Sequence, residues 1–500
     1  MIESRVAADA RRREGAALPG PEENFPPPLP RAVAAAIRSI VGERFFLEDP
    51  ASLLAYACDG QTLICRPPRA VVLPATTEEV AAVVRLLYDA GIPYLPRGAG
   101  TGLSGGAVPL NGEVVLSLAR MKRILHVDPV NRLAVVQPGV VNLRLSQAVA
   151  SEGLYFAPDP SSQYACTVGG NVGENAGGAH CLKYGVTTNH VLALRVVLPD
   201  GEVVDLGGPP GTPGPDLVGL WTGSEGTLGI VTELTVRLLP LPEGRRTALA
   251  YFDTVDAASR TVADIMAAGI VPAALEMMDA VAIEGVERGK KPAGHPPDVE
   301  ALLLIEVDGV EAGLDAEMER IVAVCRKNGV RSVKVAESEA ERRLWWDNRK
   351  TAFAAMGAIS PNYLVQDGVI PLSTLPEVLR RIRAIGEKYG LRIANVFHAG
   401  DGNLHPLILY DGRVPGEAER AEAAGLEALR VCVEVGGSIT GEHGVGIEKR
   451  EAMCFMFDPP ELEAMRAVRA AFDPKGLLNA AKLIPTPGRC GEVKAASWER

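Results

Sequence analysis

The stretch Pro96-Arg97-Gly98-Ala99-Gly100-Thr101-Gly102-Leu103-Ser104-Gly105-Gly106 places five glycines in eleven residues. Two short motifs fit it, G-x-G-x-x-G over 100–105 and G-x-S-x-G over 102–106. Each needs a helix directly after the turn, to aim a dipole at a phosphate or to expose a nucleophile. Here Val108-Pro109-Leu110 and an Asn111-Gly112 turn lead into a β-type run at 113–118 instead. What survives is common to both motifs: glycines let backbone N–H groups approach an anion closely, so a phosphate-cradling loop without a Rossmann helix is expected. The bland alternative is a tight bend.

Upstream, Ala70 to Leu73 is a β-type run, and Thr76 with Glu79 makes a capping box. Val80, Val83, Val84 and Leu87 recur at helical spacing, Gly91 ends the helix, and Ile92 to Leu95 is the next strand, giving a β-α-β unit. Downstream come β-type runs at 124–127 and 133–136, then a hairpin of Val191 to Leu198 and Val203 to Leu206 about Asp200-Gly201. Between and after them lie three more loops rich in Gly, Ser, Thr and Asn: Pro158–Ser162, Thr167–Gly178 and Thr222–Gly229. A strand at 230–238 follows, and Pro240-Leu241-Pro242 reads as a linker. In the second half, strand-like runs (248–252, 301–307, 331–336, 363–370, 392–397, 404–409) alternate with helical patterns. Thr374 with Glu377 reads as a capping box for a helix to about Tyr389. This mixing predicts an α+β domain, an antiparallel sheet with helices on one side. The expected organisation is a disordered tail over 1–28, a helical segment over 29–66, a loop-rich ligand-binding domain over 67–242, an α+β domain over 243–485 and a tail over 486–500.

Composition narrows the function classes. With 47% hydrophobic and 23% charged residues, the chain is neither disordered nor fibrous. A net charge of −11 lacks the electrostatic footprint of a nucleic-acid binder. No apolar run is long enough to span a bilayer, so the expected location is the cytoplasm, with membrane association only peripheral, through partners. Cysteines at 58, 65, 166, 181, 325, 432, 454 and 490 form no C-x-x-C pair, which argues for reduced thiols and against an iron–sulfur cluster in this chain.

A second constellation is His398-Ala399-Gly400-Asp401-Gly402-Asn403-Leu404-His405 between β-type runs. If Asp401-Gly402 is a two-residue hairpin loop, His398 stands opposite His405, close enough to share a divalent ion. A longer loop would spoil this register. Gly441-Glu442-His443-Gly444 is the second source of ligands, and two histidines plus a carboxylate with open positions suit Zn, Mn or Fe. The alternative is a pair of ordinarily hydrogen-bonded histidines.

Taken together, the ordered glycine-rich loops resemble the FAD-binding domain of vanillyl-alcohol oxidase and p-cresol methylhydroxylase type flavoproteins, nearest the FAD-linked subunit of glycolate oxidase and the D-lactate dehydrogenases. The resemblance covers about residues 30 to 485. It implies a two-part FAD-binding domain, an α+β substrate domain and oxidation of a small D-2-hydroxy acid, glycolate or D-lactate. FAD would lie against Pro96, Arg97, Gly98, Ala99, Gly100, Thr101, Gly102 and Ser104, and against Pro158, Asp159 and Ser161. The third loop would add Thr167, Gly169, Gly170, Asn171, Asn175, Gly177 and Gly178, the fourth Ser224, Glu225, Gly226, Gly229 and Ile230. Members that hold flavin covalently through the first loop carry a histidine where Thr101 stands, so non-covalent FAD is expected. The resemblance further implies a divalent metal on His398, His405 and Glu442, with His443 as base. Trp345–Lys350, Ser360–Tyr363 and Asp367-Gly368 match the same pattern, with Arg349 the candidate for the substrate carboxylate and Lys350 in reserve. Near the C-terminus, Phe472–Asn479 matches the closing motif. The family's Pro-Gly-Lys is Ala480-Ala481-Lys482 here, with Asn479 and Lys482 keeping their types. A second flavin-type subunit and an iron–sulfur subunit are the implied partners. Two rivals stand beside this reading: a non-redox flavin-dependent alkyl transferase and a flavin-binding assembly subunit.

Overall fold

The computed structural model describes residues 25–61, 63–208, 213–487 and 490. Most of the expected N-terminal tail, and 491–500, lie outside them. Phe25, within the span expected to be tail, packs against the Leu53, Val71, Leu95 and Val115 cluster.

The β-α-β unit is present. Strands β1 (Phe46–Leu47), β2 (Ala70–Val72), β3 (Tyr94–Arg97) and β4 (Val114–Ser117) form a sheet in the order β1-β2-β4-β3, with β2 and β3 both parallel to β4. The connecting helix, Thr77–Asp89, buries Val80, Val83, Val84 and Leu87 completely, at about 1.5–3 kcal/mol each. Thr76 Oγ1 accepts from the Glu79 N–H, while the Glu79 carboxylate reaches Ala75 N–H rather than Thr76. A second, antiparallel sheet runs β5 (Ile124–Asp128), β6 (Leu133–Val136), β10 (Ile230–Arg237), β8 (Val191–Val197) and β9 (Val203–Gly207). Strand β7 (Leu154–Tyr155) pairs with β11 (Leu239–Pro240), so Pro240 closes a short edge pairing.

The third sheet is antiparallel, in the order β15 (Ser332–Val335), β12 (Gly244–Phe252), β14 (Ala301–Gly309), β13 (Ala274–Asp279), β18 (Arg392–His398), β19 (Asn403–Leu404), β17 (Gly368–Val369), with β16 (Asn362–Val365) and β20 (Pro406–Tyr410) joined beside β18. Helices cover both of its faces, not one. Ala250, Phe252, Leu303, Ile305 and Met277 meet helices 255–267, 311–327, 375–389 and 417–434, whereas Leu249, Tyr251, Leu302, Leu304 and Met278 meet 280–288 and 339–350. The continuous run Ala301-Leu302-Leu303-Leu304-Ile305 signals this, because a one-sided strand would alternate.

Three further expectations change. The run 363–370 splits into β16 and β17 around buried Asp367. Thr374 does not cap its helix through a capping box; its hydroxyl donates to Pro371 O, and a 3-10 turn with Pro376 opens the helix. Finally, Cys454 and Cys490 form a disulfide, so the thiols are not all reduced.

The C-terminal segment returns to the first sheet. Leu478 bridges Tyr94 in parallel, Asn479 N–H donates to Tyr94 O, and Lys482 Nζ donates to Val108 O at 2.6 Å.

Candidate active site

The glycine-rich segments converge on one cavity of about 410 Å³, although 167–178 is not the expected loop throughout: Val168–Glu174 is a helix, with Thr167 Oγ1 accepting from Gly170 N–H at its start. Pro96, Arg97, Gly98, Ala99, Gly100, Thr101 and Gly102 line it, with Ser161, Thr167, Gly169, Gly170, Asn171, Gly177, Ser224, Glu225, Gly226 and Gly229. At Gly98 a Cβ would come within 2.7 Å of Thr167 Oγ1, so the cradle exists only because no side chain fills it. Asn171 and Trp221 line the same cavity, and Asn171 Nδ2 and Trp221 Nε1 are buried with no oxygen or nitrogen acceptor. Such orphaned donors suit a ligand rich in phosphate, hydroxyl and ring acceptors. The residues present therefore fit FAD.

The expected contacts are not all free to meet a ligand. Arg97 lines the cavity, but its guanidinium is spent on Cys58 O (2.8 Å) and Ala107 O (3.1 Å), to which it donates. Pro158, Asp159, Ser104, Asn175, Gly178, Ile230 and Asn479 are not on the cavity wall. Pro158 O accepts from Asn142, and Ser104 O accepts from Ile447 and Glu448 N–H. Asn175 caps helix 168–174, Ile230 sits in the apolar core, and Asn479 donates to Gly106 O and Glu225 O. Asp159 Oδ2 lies 2.8 Å from His180 Nδ1, whose Nε2 lies 3.6 Å from Glu306. Burial opposes the charge on His180, but Asp159 and Glu306 outweigh it and push the imidazole up to about 10.

At one end of the cavity stand His398, His405, Glu442, His443, Arg349 and Phe353. The hairpin register differs from expectation: His398 pairs with Asn403 and Asn395 with Pro406, so the loop has four residues. In that register His405 falls opposite Val396, two positions from His398. A shift of two keeps the same face, so the imidazoles still meet, diagonally. Their rings lie 5.0 Å apart, and His405 and His443 stack at 4.8 Å. Glu442 Oε1 lies 3.2, 3.3 and 3.7 Å from Nε2 of His398, His405 and His443. Burial resists the charge on Glu442, yet His398 and His405 hold it well below the usual carboxylate range. Burial lowers His443 to about 4, so its ring is neutral near pH 7.

Two acidic residues with no role assigned from sequence organise this cluster. Glu276, on β13, sets Oε1 2.7 Å from His398 Nδ1 and pairs its other oxygen with Arg349. Its pairing with the His398 Nδ1 side turns Nε2 toward the cavity, the usual arrangement behind a metal-bound histidine. Asp367 is fully buried and accepts from Gly441 N (3.0 Å), His443 N (2.9 Å), Thr440 Oγ1 (2.5 Å), Asn403 Nδ2 (3.0 Å) and Lys449 Nζ (3.1 Å). It fixes the loop carrying Glu442 and His443. A carboxylate inside the apolar strand Ala274–Asp279 was the available signal for Glu276. His398, His405 and Glu442 place one donor atom each within 4.8 Å of one another, a spacing that fits a mononuclear metal site.

A glycine-walled cleft that runs into a histidine–carboxylate cluster defines a flavin-dependent oxidoreductase. Residues 68–207 match the FAD binding domain and 241–483 the C-terminal domain of FAD linked oxidases. The chain is 51% identical to glycolate oxidase subunit GlcD of Escherichia coli K12, over 93% of each chain. It is 35% identical to D-lactate dehydrogenase of Anaerostipes hadrus, over 83% of this chain and 89% of that one. The solved structure of p-cresol methylhydroxylase with substrate bound superposes with a TM-score of 0.78 at 19% identity, covering 93% of this chain and 99% of that one, a likeness of fold. The protein belongs to the FAD-linked oxidase family that includes glycolate oxidase subunit GlcD and D-lactate dehydrogenase.

Proposed function

We propose that the protein oxidises a small D-2-hydroxy acid, glycolate or D-lactate, to the 2-oxo acid. The observation that carries this reading is the convergence of three imidazole Nε2 atoms on Glu442 Oε1 at one end of the glycine-walled cavity. FAD, bound non-covalently with Thr101 in the loop, supplies the hydride acceptor. His398, His405 and Glu442 would hold a divalent cation, Zn, Mn or Fe, whose chemistry there is to favour the alkoxide form of the substrate hydroxyl. His443 takes the hydroxyl proton on its neutral ring as the Cα–H bond breaks; a general base supplies about 10²–10⁴-fold. Arg349 has one Nη occupied by Glu276, while its Nε is buried without a partner and is free to meet the substrate carboxylate. Phe353, packed against His405, helps to keep water from the reacting carbon.

Electrons then leave to a partner or a diffusible acceptor. A second flavin-type subunit and an iron–sulfur subunit suit this role, since this sequence has no closely spaced cysteine cluster of its own. The subunit designation of the Escherichia coli relative supports an assembly. Among the described residues no helix is long and apolar enough to cross a membrane, which fits peripheral attachment through such partners. Neither the alkyl-transfer nor the assembly-subunit reading has an observation of its own in its favour. The test is anaerobic mixing with a panel of D- and L-2-hydroxy acids. Bleaching of the flavin by D-lactate or glycolate is expected, and a flavin that no 2-hydroxy acid bleaches would refute the reading.

A further inference from the structure

Two carboxyls, buried Glu225 and half-buried Glu174, stand between the glycine loop and the loop that carries His443. Glu225 is fully served: Val445 N–H donates to one oxygen at 2.6 Å and Gly446 N–H to the other at 2.7 Å. Glu174, at the end of helix 168–174, is not. Its Oε2 is buried and has no hydrogen-bond partner, and its side chain lines the cavity. The two carboxyls face a gap that only glycines leave open. A Cβ on Gly444 would lie 2.3 Å from Glu174 Oε2 and 2.9 Å from Glu225 Oε1, and one on Gly106 would lie 2.9 Å from Glu174 Oε1.

The charged groups facing Glu174 are Glu225, Asp59, Lys449 and Lys482. Both lysines are engaged elsewhere, Lys449 with Asp367 and Lys482 with Val108 O, Gly106 O and Asn479 Oδ1. Two carboxylates this close do not both ionise. The one with two backbone donors keeps the charge, and the one without keeps the proton. Burial first, and then the charge of Glu225, push Glu174 well above the usual carboxyl range.

Gly444 directly follows His443, so this pair stands at the reacting end of the cavity. We propose that Glu174 is a neutral carboxylic acid that donates its O–H to the ring of bound flavin. The assignment of ring and site rests on the function proposed above. A donor there stabilises the electron-rich reduced ring more than the oxidised one, so Glu174 acts as a positioning and potential-setting residue.

The experiment compares wild type, Glu174→Gln and Glu174→Leu, each loaded with FAD and reduced photochemically, with no hydroxy acid present. Wild type should show, near neutral pH, an infrared band of a protonated carboxyl that shifts on flavin reduction and is missing in Glu174→Gln. Glu174→Gln keeps a neutral donor and should hold the midpoint potential near that of wild type. Glu174→Leu should favour reduced flavin at least tenfold less, a fall of ~30 mV or more for a two-electron couple. If the leucine variant does not retain flavin, the wild-type and glutamine spectra decide. A wild-type protein without the band, or a leucine variant with unchanged potential, overturns the proposal. Neither readout depends on substrate, so failure of every hydroxy acid to bleach the flavin would refute the function and leave this result standing.

Discussion

Replacing Asp367 with asparagine tests whether one buried carboxylate holds the loop of Glu442 and His443. The carboxylate accepts from two side-chain donors, Thr440 and Asn403, from the backbone of Gly441 and His443, and from Lys449, which is itself only 1% exposed. Asparagine keeps the shape and one acceptor but removes the charge, which strands the Lys449 ammonium in the interior. Breaking a buried pair from one side costs about 3–5 kcal/mol, against ~5–15 kcal/mol for a typical domain. Misorienting the loop should also weaken metal binding about 10–100-fold, the usual effect of losing a residue that orients ligands. Urea unfolding and metal competition titration measure the two losses. Adding Lys449→Met to Asp367→Asn removes the stranded charge and should restore much of the stability but not the metal affinity, because the loop still lacks its anchor. An Asp367→Asn protein within about 1 kcal/mol of wild type, and with unchanged metal affinity, would refute the assignment of Asp367 as the anchor.

Four other outcomes are expected. Acid precipitation should release yellow flavin into the supernatant; flavin left in the pellet would mean a covalent bond. Elemental analysis should find about one divalent metal per chain, as for a single mononuclear site, and His405→Ala should lose it. In stopped-flow reduction at saturating D-lactate or glycolate, His443→Ala should slow flavin reduction about 10²–10⁴-fold, whereas Arg349→Met should mainly raise the substrate concentration needed; near-normal reduction by His443→Ala would exclude it as the base. Because the folded pKa of His180 lies above the unfolded value of ~6.5, its contribution to stability is complete below that pH and fades as pH rises toward about 10. The difference in thermal midpoint between wild type and His180→Gln should therefore shrink over that window, and a constant difference would show that the imidazole is not charged in the fold.

Local chemistry made part of this protein legible. The capped helix at 77–89 and the Asp200-Gly201 hairpin follow from residue types that act within a few positions, whereas the glycine-rich stretch 167–178, expected as a loop, holds a helix over Val168–Glu174. The 398–405 hairpin failed in register because Asp401 takes the Asn403 N–H at 3.1 Å and Gly402 adopts φ +78°, lengthening the loop to four residues. The face survived, since a two-residue slip preserves strand polarity. What stayed hidden was decided by distant pairing. Glu276 reaches His398 across 122 residues, and Asp367 reaches His443 across 76. Asp159 looked like a flavin contact because it sits among loop residues, yet its partner is His180.

The closing strap from Leu478 to Lys482 also joins parts of the chain that are synthesised far apart in time. Asn479 completes the flavin loops by bonding Glu225 O, 254 residues earlier in the chain. At ~5–20 residues per second, a ribosome that has finished those loops needs roughly 10–50 s more to supply the residue that fastens them. Over that interval Tyr94 O and Glu225 O lack the partners that the strap supplies. The contacts that tie Gly106 and Glu225 together through Asn479 therefore form later than the segments they fasten.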